Sequence, residues 1–249
     1  MELAALTAAC ALLAACNSTA KATRTTAADP PCTAPARVAV LADKTGSAAH
    51  NRTPEIQPEE LDPLYEQIVR CGGEIALGVL TDRSNRPLLR VRVAEPTPPP
   101  AATDPRQNPF DYARRHAEEV KTLSRLQKED EERQADAGER IREFDQAAKP
   151  LLAASAKALC SDIFGGLRRA NLFHGEPPSL WRRAPRQFTV LVSDAEANCG
   201  APNFEPLPGV KLLMVNGAPG LGSLEGRELI RLERFEAGVE FILQDASRQ

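Results

Sequence analysis

Short apolar runs alternate with amphipathic stretches along most of the chain. Residues 38–41 are continuously apolar and end at Asp43, which predicts a strand buried on both faces. An amphipathic helix is predicted from Pro58 to the Gly72-Gly73 pair, because Gly commonly follows the last turn of a helix. Further strands are predicted at residues 74–80, 88–93, 188–192, 210–215 and 239–243, and further helices at 151–159, 163–173 and 223–235.

One pair of predicted strands is too closely spaced for a crossover connection. Only residues 81–87 separate strand 74–80 from strand 88–93, so the two should form an antiparallel hairpin. Strand 88–93 alternates apolar residues with Arg90 and Arg92, as an edge strand half in solvent does. The rest of the chain alternates strands and helices. We therefore predict an α/β fold with a doubly wound, mostly parallel sheet and one antiparallel edge strand.

A long charged segment interrupts this alternation. A helical insertion is predicted at about residues 105–150, after a Pro-rich break. Residues 127–140 contain no apolar side chain larger than Ala, and pairs such as Arg125/Glu129 and Asp136/Arg140 have the i,i+4 spacing that supports an exposed helix. A coiled-coil arm would need more apolar a and d positions, so a solvated helix is the better interpretation.

The first residues are typical of an export signal. Residues 2–16 are mostly apolar and small, although Glu2 stands where Lys or Arg is expected in a signal peptide, and the run is too short to span a membrane. Residues 13–16, Leu-Ala-Ala-Cys, resemble the lipobox of bacterial lipoproteins. That resemblance implies acylation of Cys16 and a lipid-anchored, extracytoplasmic protein in the bacterial cell envelope. Residues 17–35 lack periodicity and predict a disordered tether, which leaves residues 36–249 for one folded domain.

Composition excludes some classes of partner. The formal net charge is -3, whereas a nucleic-acid-binding protein normally presents a strongly basic face. Aromatic residues make up only 4% of the chain, which argues against a platform for stacking bases. We expect no nucleic-acid partner.

Candidate chemistry lies in the loop after the first strand. Asp43, Thr45 and Ser47 alternate along this loop, so their oxygens can converge on one point. Asp194 ends another apolar strand and Ser161 begins a helix, which places both at the same edge of the predicted sheet. Carboxylates and hydroxyls form a hard-oxygen set suited to a divalent cation. The alternative is a turn whose side chains only bond their own backbone.

Other sites fit the sequence less well. A haloacid dehalogenase-type phosphatase needs a second Asp where Thr45 stands. The Gly-rich segment 217–222 lacks the Gly-Lys-Ser/Thr ending of a phosphate loop and is interpreted as an ordinary connection. His50, His116 and His174 have no metal-ligand or catalytic-triad spacing.

In chain order, Asp43-x-Thr45-x-Ser47, Ser161 and Ser193-Asp194 resemble the metal-ion-dependent adhesion site of von Willebrand factor A-type domains. That family uses Asp-x-Ser-x-Ser, a later Thr and an Asp after the fourth strand; here Thr45 and Ser161 keep the hydroxyl, and Ala195 replaces the usual Gly. The resemblance covers about residues 37–243.

This resemblance implies a von Willebrand factor A-like fold and a specific ligand set. Mg²⁺ or Mn²⁺ would be held by Asp43, Thr45, Ser47, Ser161 and Asp194, and a protein partner would offer a carboxylate to the metal. The implied function is a non-enzymatic binding or adhesion module. A metal-dependent hydrolase using the same acidic pocket and a metal-free scaffold remain as alternatives.

Four cysteines follow the predicted cleavage site: Cys32, Cys71, Cys160 and Cys199. None has Cys-x-x-Cys spacing, so zinc is not predicted, and an even number behind an export signal favours disulfides with three possible pairings. The predicted fold selects one pairing. It places Cys32 and Cys71 at the amino end of the sheet and Cys160 and Cys199 at the carboxyl end, which gives Cys32–Cys71 and Cys160–Cys199.

Overall fold

The computed structural model of the chain describes residues 32–84, 86–102, 108–177, 181–197, 199–200, 204–216 and 229–248. They belong to the second of two units, Pro31–Gln249; the first unit is Met1–Pro30. The predicted signal segment with Cys16, the first part of the tether and the Gly-rich segment 217–222 lie outside the described residues. In the described ranges, no helix has both the length and the apolar character needed to cross a membrane.

A six-stranded sheet organises the second unit. Its strands are β1 (Ala36–Asp43), β2 (Gly73–Leu80), β3 (Leu89–Val93), β4 (Arg186–Val192), β5 (Val210–Val215) and β6 (Leu229–Leu232). The order across the sheet is β3-β2-β1-β4-β5-β6. Neighbouring strands are parallel except β2 and β3, which pair antiparallel. The predicted α/β class, the mostly parallel sheet and the antiparallel edge strand are confirmed.

Helices cover both faces of this sheet. They are α1 (Gly46–His50), α2 (Asp62–Cys71), α3 (Pro109–Leu152), α4 (Ile163–Gly175) and α5 (Phe235–Ser247), with a 3-10 turn at Pro58–Leu61 before α2. Successive side chains of a strand point to opposite faces. Val38 and Val40 therefore join the core with α2, α3 and α5, whereas Ala39 and Leu41 pack with α4. β1 is buried along its whole length.

The charged helix is better anchored than the sequence predicted. The prediction of a fully solvated insertion is wrong for its C-terminal part, where five side chains are buried: Ala137, Ile141, Phe144, Ala148 and Leu152. Their three- and four-residue spacing forms one face of a helix. In the N-terminal part Phe110 and Val120 are exposed, and ion pairs such as Arg125–Glu129 form on the surface.

Two segments differ from their predicted secondary structure. Residues 239–243 were predicted as a strand and lie in α5, where Phe235, Val239 and Ile242 are buried at helical spacing. Residues 229–232, predicted as helix, form β6. A short apolar run does not by itself distinguish a strand from a buried helix.

Residues 151–159 were predicted as a helix, but α3 ends at Leu152 and the rest of the segment is irregular. The backbone of Ala158 explains the difference, because it binds the loop after β1 instead of its own segment. Its carbonyl accepts from the Gly46 amide at 3.0 Å and its amide donates to the Lys44 carbonyl at 3.5 Å. Residues 153–159 are called the connector below.

The amino end of the sheet contains a buried ionic cluster. Arg37 of β1 and Glu74 of β2 are fully buried, with Nε and Oε2 3.2 Å apart. Arg90 and Arg92 of β3 also reach Glu74, at 2.7 and 3.2 Å, and both contact Glu176 after α4. The two edge-strand arginines, which the sequence assigned to solvent, are therefore partners of a buried charge.

His174 lies beside this cluster and is almost completely buried. Its Nε2 is 3.1 Å from Thr189 Oγ1. Burial, and then the neighbouring Arg37 cation, lowers the pKa of His174 to about 3. Because an unperturbed His has a pKa of about 6.5, His174 is neutral in the fold at pH values where the His side chain of the unfolded chain already gains a proton.

We expect the free energy of unfolding to decrease as the pH falls from about 6.5 towards about 3, because the unfolded state then binds a proton that the folded state does not. The share of His174 in this loss should be about 2 kcal/mol at pH 5. Urea unfolding at pH 7 and pH 5 measures it. His174→Gln keeps a partner for Thr189 but does not titrate, so its two values should differ by about 2 kcal/mol less than those of the parent. An equal pH dependence in both proteins would contradict this assignment.

Candidate functional site

The loop between β1 and α1 positions three of the predicted ligands. Asp43 is the last residue of β1, and its Oδ1 accepts a hydrogen bond from the Thr45 amide at 3.1 Å. Thr45 precedes α1 and is fully buried, with its Oγ1 3.2 Å from Ser47 Oγ. Oδ1 of Asp43 thus stabilises the backbone of its own turn, which agrees with the alternative that these side chains bond their own backbone. Oδ2 remains for contacts with residues outside the turn.

Two serines from other segments converge on Asp43 Oδ2. Ser161, just before α4, donates its hydroxyl at 3.0 Å, and Ser193, just after β4, donates at 2.6 Å. Both serines are fully buried. The backbone after Ser161 is fixed to the end of β2, since the Asp162 amide donates to the Thr81 carbonyl at 2.9 Å. Asp43 at the end of β1 is therefore linked directly to the residue after β4 and, through the segment of Ser161, to the end of β2.

Asp194 supplies the second buried acid of the site, with 2% of its surface exposed. Its Oδ2 accepts from Asn51 Nδ2 at 3.0 Å and its Oδ1 from the Glu196 amide at 3.0 Å. Asn51 also donates to the Glu196 carboxylate at 3.2 Å. Ala195 has a φ of 64°, in the left-handed region that Gly adopts most easily.

Burial is the main reason that the pKa of Asp43 is raised above its ordinary value, and the negative charge of Asp194 raises it further. The hydroxyls of Ser193 and Ser161 act in the opposite direction because they stabilise the ionised carboxylate. No Lys or Arg pairs with either aspartate in the ranges that the structure describes; the Lys44 ammonium is instead 3.9 Å from Glu55. Among the described residues, the two aspartates are thus close together without a cationic side chain paired to either of them.

The donor set suits a hard divalent cation. Each hydroxyl that donates its proton to Asp43 keeps lone pairs with which to coordinate a metal, and carboxylate and hydroxyl oxygens are ligands that Mg²⁺ accepts. Within the described ranges, no group of three or more His, Cys, Asp or Glu side chains is arranged to hold a metal. A cation at this edge of the sheet therefore depends on the hydroxyls as well as on the two aspartates.

The structure brings Asp43, Thr45, Ser47 and Ser161 into one hydrogen-bonded group and places Asp194 beside it. The sequence reasoning did not select Ser193 or Asn51 as site residues. Ser193 had a signal, because it directly follows a buried strand and precedes Asp194. Asn51 had none, since its role depends on how α1 approaches the loop after β4.

A disulfide closes the site at its rim. Cys160 and Cys199 are bonded, with Cα atoms 5.7 Å apart, and the Cys199 amide donates to the Ser161 carbonyl at 3.4 Å. The second disulfide, Cys32–Cys71, has a Cα separation of 5.3 Å and lies near the start of β1 and β2, at the opposite end of the sheet. Both predicted pairings are present.

Comparison with known proteins does not assign a family. No protein-family model matches the chain, and no curated protein matches it. Two solved structures of proximal thread matrix protein 1 from the mussel byssus, one of them a second crystal form, are similar at 13% sequence identity with a TM-score of 0.41. The matches cover 87% of this chain but 48% and 47% of the mussel chains. This chain thus spans about half the length of the solved structures that it matches.

Proposed function

We propose that this protein is a non-enzymatic, extracytoplasmic binding module with a von Willebrand factor A-like fold, which coordinates Mg²⁺ or Mn²⁺ and captures a protein partner. Its metal ligands would be Asp43, Thr45, Ser47, Ser161 and Asp194, directly or through water. The observation that carries the proposal is the pair of buried aspartates, which lie beside hydroxyls and have no Lys or Arg partner in the part of the chain that the structure describes.

The position of the loop supports a role in capture. Thr45, Ser161 and Asp194 are buried, whereas Gly46 is exposed and Ser47 is half-buried. A cation held here would therefore be approached from the side of Ser47. Its charge would balance two carboxylates, and an Asp or Glu carboxylate of a partner would supply a further oxygen ligand.

The two disulfides fit an oxidising compartment outside the cytoplasm. We therefore include in this proposal the lipid anchor at Cys16 and the tether at residues 17–35. In that arrangement the lipid would hold the binding site at the surface of the membrane.

Added Mg²⁺ or Mn²⁺ is expected to stabilise the full chain by about 2.7 kcal/mol at a hundredfold excess over Kd, because only the folded state assembles the ligands. For a domain of this size, that corresponds to a rise in Tm of roughly 5–10 °C. Asp43→Asn should abolish the rise. It should change the metal-free stability by only about 1 kcal/mol, because burial and Asp194 already disfavour the charge that is removed. Thermal unfolding in EDTA and in millimolar metal measures both effects.

The neutral ligands should contribute less, so Thr45→Val and Ser161→Ala should reduce the rise in Tm without abolishing it. Asp136→Asn is the matched control, because Asp136 is 70% exposed on α3 and loses the same charge far from the loop. The metal-dependent rise in Tm of Asp136→Asn should equal that of the parent. The proposal fails if the parent shows no change in Tm at millimolar Mg²⁺ and Mn²⁺, or if Asp136→Asn removes the effect as completely as Asp43→Asn.

A further inference from the structure

A groove of about 530 Å³ lies beside the candidate site. One wall is formed by Thr81, Asp82, Arg86 and Pro87 between β2 and β3, the other by the connector between α3 and α4, and Arg169 of α4 contributes to the floor. Lys44, which directly follows Asp43, also lines it. This space is called the connector groove. Lys44 of the β1–α1 loop connects it to the candidate site, because Lys44 follows Asp43 directly in the chain.

Positive charge dominates the connector groove. Arg86, Lys157 and Arg169 line it together with a single acid, Asp82, in a chain whose formal net charge is -3, whereas the Lys44 ammonium is already paired with Glu55. Arg86 and Lys157 are exposed, and neither forms an ion pair with another described residue. A local excess of cations in an acidic protein attracts negatively charged ligands to this place.

Arg169 adds an unsatisfied group to the floor. Its Nη1 donates to the Arg86 carbonyl, but Nε and Nη2 are buried with no hydrogen-bond partner among the described residues. Burial lowers the pKa of Arg169 because it disfavours the cation, and Asp162 only partly offsets this effect. A buried donor without an acceptor raises the free energy of the protein. A carboxylate that entered the groove and accepted from Arg169 would remove this desolvation penalty.

Aliphatic side chains flank these cations. Leu159 is 97% exposed at the connector and Leu151 is 37% exposed at the end of α3, while Pro87 lies on the opposite wall. A sulfated glycan or a nucleic acid has no aliphatic side chains to place against them. A polypeptide with both acidic and aliphatic residues can use the cations and the leucines together.

We propose that the connector groove binds an acidic, leucine-containing segment of a protein partner. This deepens the proposed function, since it names the chemistry of the partner, but the groove contacts themselves require no metal. A segment that continued from the groove to the Asp43 loop would place one carboxylate at the cation and others against Arg86 and Lys157.

Fluorescence anisotropy with the full chain tests this inference. The probe is a fluorescein-labelled eight-residue peptide that alternates Glu and Leu, and its control alternates Gln and Leu. In EDTA at low ionic strength, the Glu peptide should bind and the Gln peptide should bind at least about tenfold more weakly. Lys157→Glu, Arg86→Glu and Leu159→Ser should each weaken binding of the Glu peptide several-fold.

Lys128→Glu is the matched control, because Lys128 is 78% exposed on α3 and the substitution makes the same charge change as Lys157→Glu. It should leave the affinity unchanged. The inference is overturned if the Glu peptide does not bind at millimolar concentration, if the Gln peptide binds equally, or if Lys128→Glu weakens binding as much as Lys157→Glu. Displacement by a heparin fragment, combined with unchanged binding to Leu159→Ser, would overturn it in favour of a glycan.

The metal proposal and the groove proposal give separable results. Peptide binding in EDTA that requires Lys157 and Leu159 supports the groove even if Mg²⁺ causes no change in Tm. A metal-dependent change in Tm without peptide binding would support the metal site and overturn the groove assignment.

Discussion

Removal of the Cys160–Cys199 disulfide is expected to lower the free energy of unfolding by about 4 kcal/mol and to weaken the proposed binding of a cation. The bond joins residues 39 apart in sequence, and in the chain-entropy model opening such a loop restores conformational freedom to the unfolded state. The effect on the metal has a local cause. Cys160 immediately precedes Ser161, whose hydroxyl donates to Asp43 and whose carbonyl accepts from the Cys199 amide.

The double variant Cys160→Ser/Cys199→Ser tests this, with urea unfolding for stability and the Mg²⁺-dependent rise in Tm for the metal. Cys32→Ser/Cys71→Ser is the matched control, because it opens a disulfide of the same sequence separation, 39 residues, at the opposite end of the sheet. It should lose a similar stability, about 4 kcal/mol, and keep the metal effect. The assignment is wrong if both variants lose the metal effect equally, or if neither loses it.

Particular residues show why the sheet could be predicted. The strand at 38–41 is apolar without alternation because both its faces are covered by helices, and the short 81–87 connection excludes a parallel crossover. Both signals are local in sequence. β6 and α5 were predicted with the wrong type of secondary structure, because the short apolar run 239–243 does not by itself distinguish a strand from a buried helix.

The candidate site also has a part that could be predicted from the sequence and a part that could not. Asp43, Thr45 and Ser47 alternate along one loop, and Asp194 follows a strand that could be recognised, so the topology alone places them at one edge. Asn51 contacts Asp194 from across 143 positions of sequence, and the connector binds the loop through backbone groups, which carry no signal in residue type. Contacts of these kinds depend on tertiary structure and become visible only there.

The ionic cluster at the amino end of the sheet should be one of the most sensitive parts of the fold. Arg37 is fully buried, and burial lowers its pKa while Glu74 acts to raise it. Its guanidinium also lies over the Phe173 ring, 4.6 Å from the centroid, and donates to the Glu176 carbonyl at 2.7 Å. The cation is therefore shielded from solvent and depends mainly on the buried Glu74 for its counter-charge, with the half-exposed Glu176 3.6 Å away as a second partner.

Glu74→Gln is expected to lower the free energy of unfolding by about 3–5 kcal/mol, because it leaves the buried Arg37 without its main partner. Chemical denaturation at neutral pH measures the loss. Glu176→Gln is the matched control: the same chemical change occurs at a carboxylate with 42% exposure that contacts the same arginines. It should cost about 1 kcal/mol or less, since water solvates the exposed pair.

A third variant separates charge from packing. Arg37→Met/Glu74→Leu removes both buried charges while retaining apolar volume, and it should lose much less stability than Glu74→Gln alone. If the double variant is as unstable as the single one, hydrogen bonds and the aromatic contact of Arg37 stabilise this end of the sheet, and charge compensation by Glu74 is not the dominant effect. If Glu74→Gln costs no more than Glu176→Gln, Arg90, Arg92 and Glu176 rearrange to solvate Arg37, and the cluster is not the rigid element that its burial indicates.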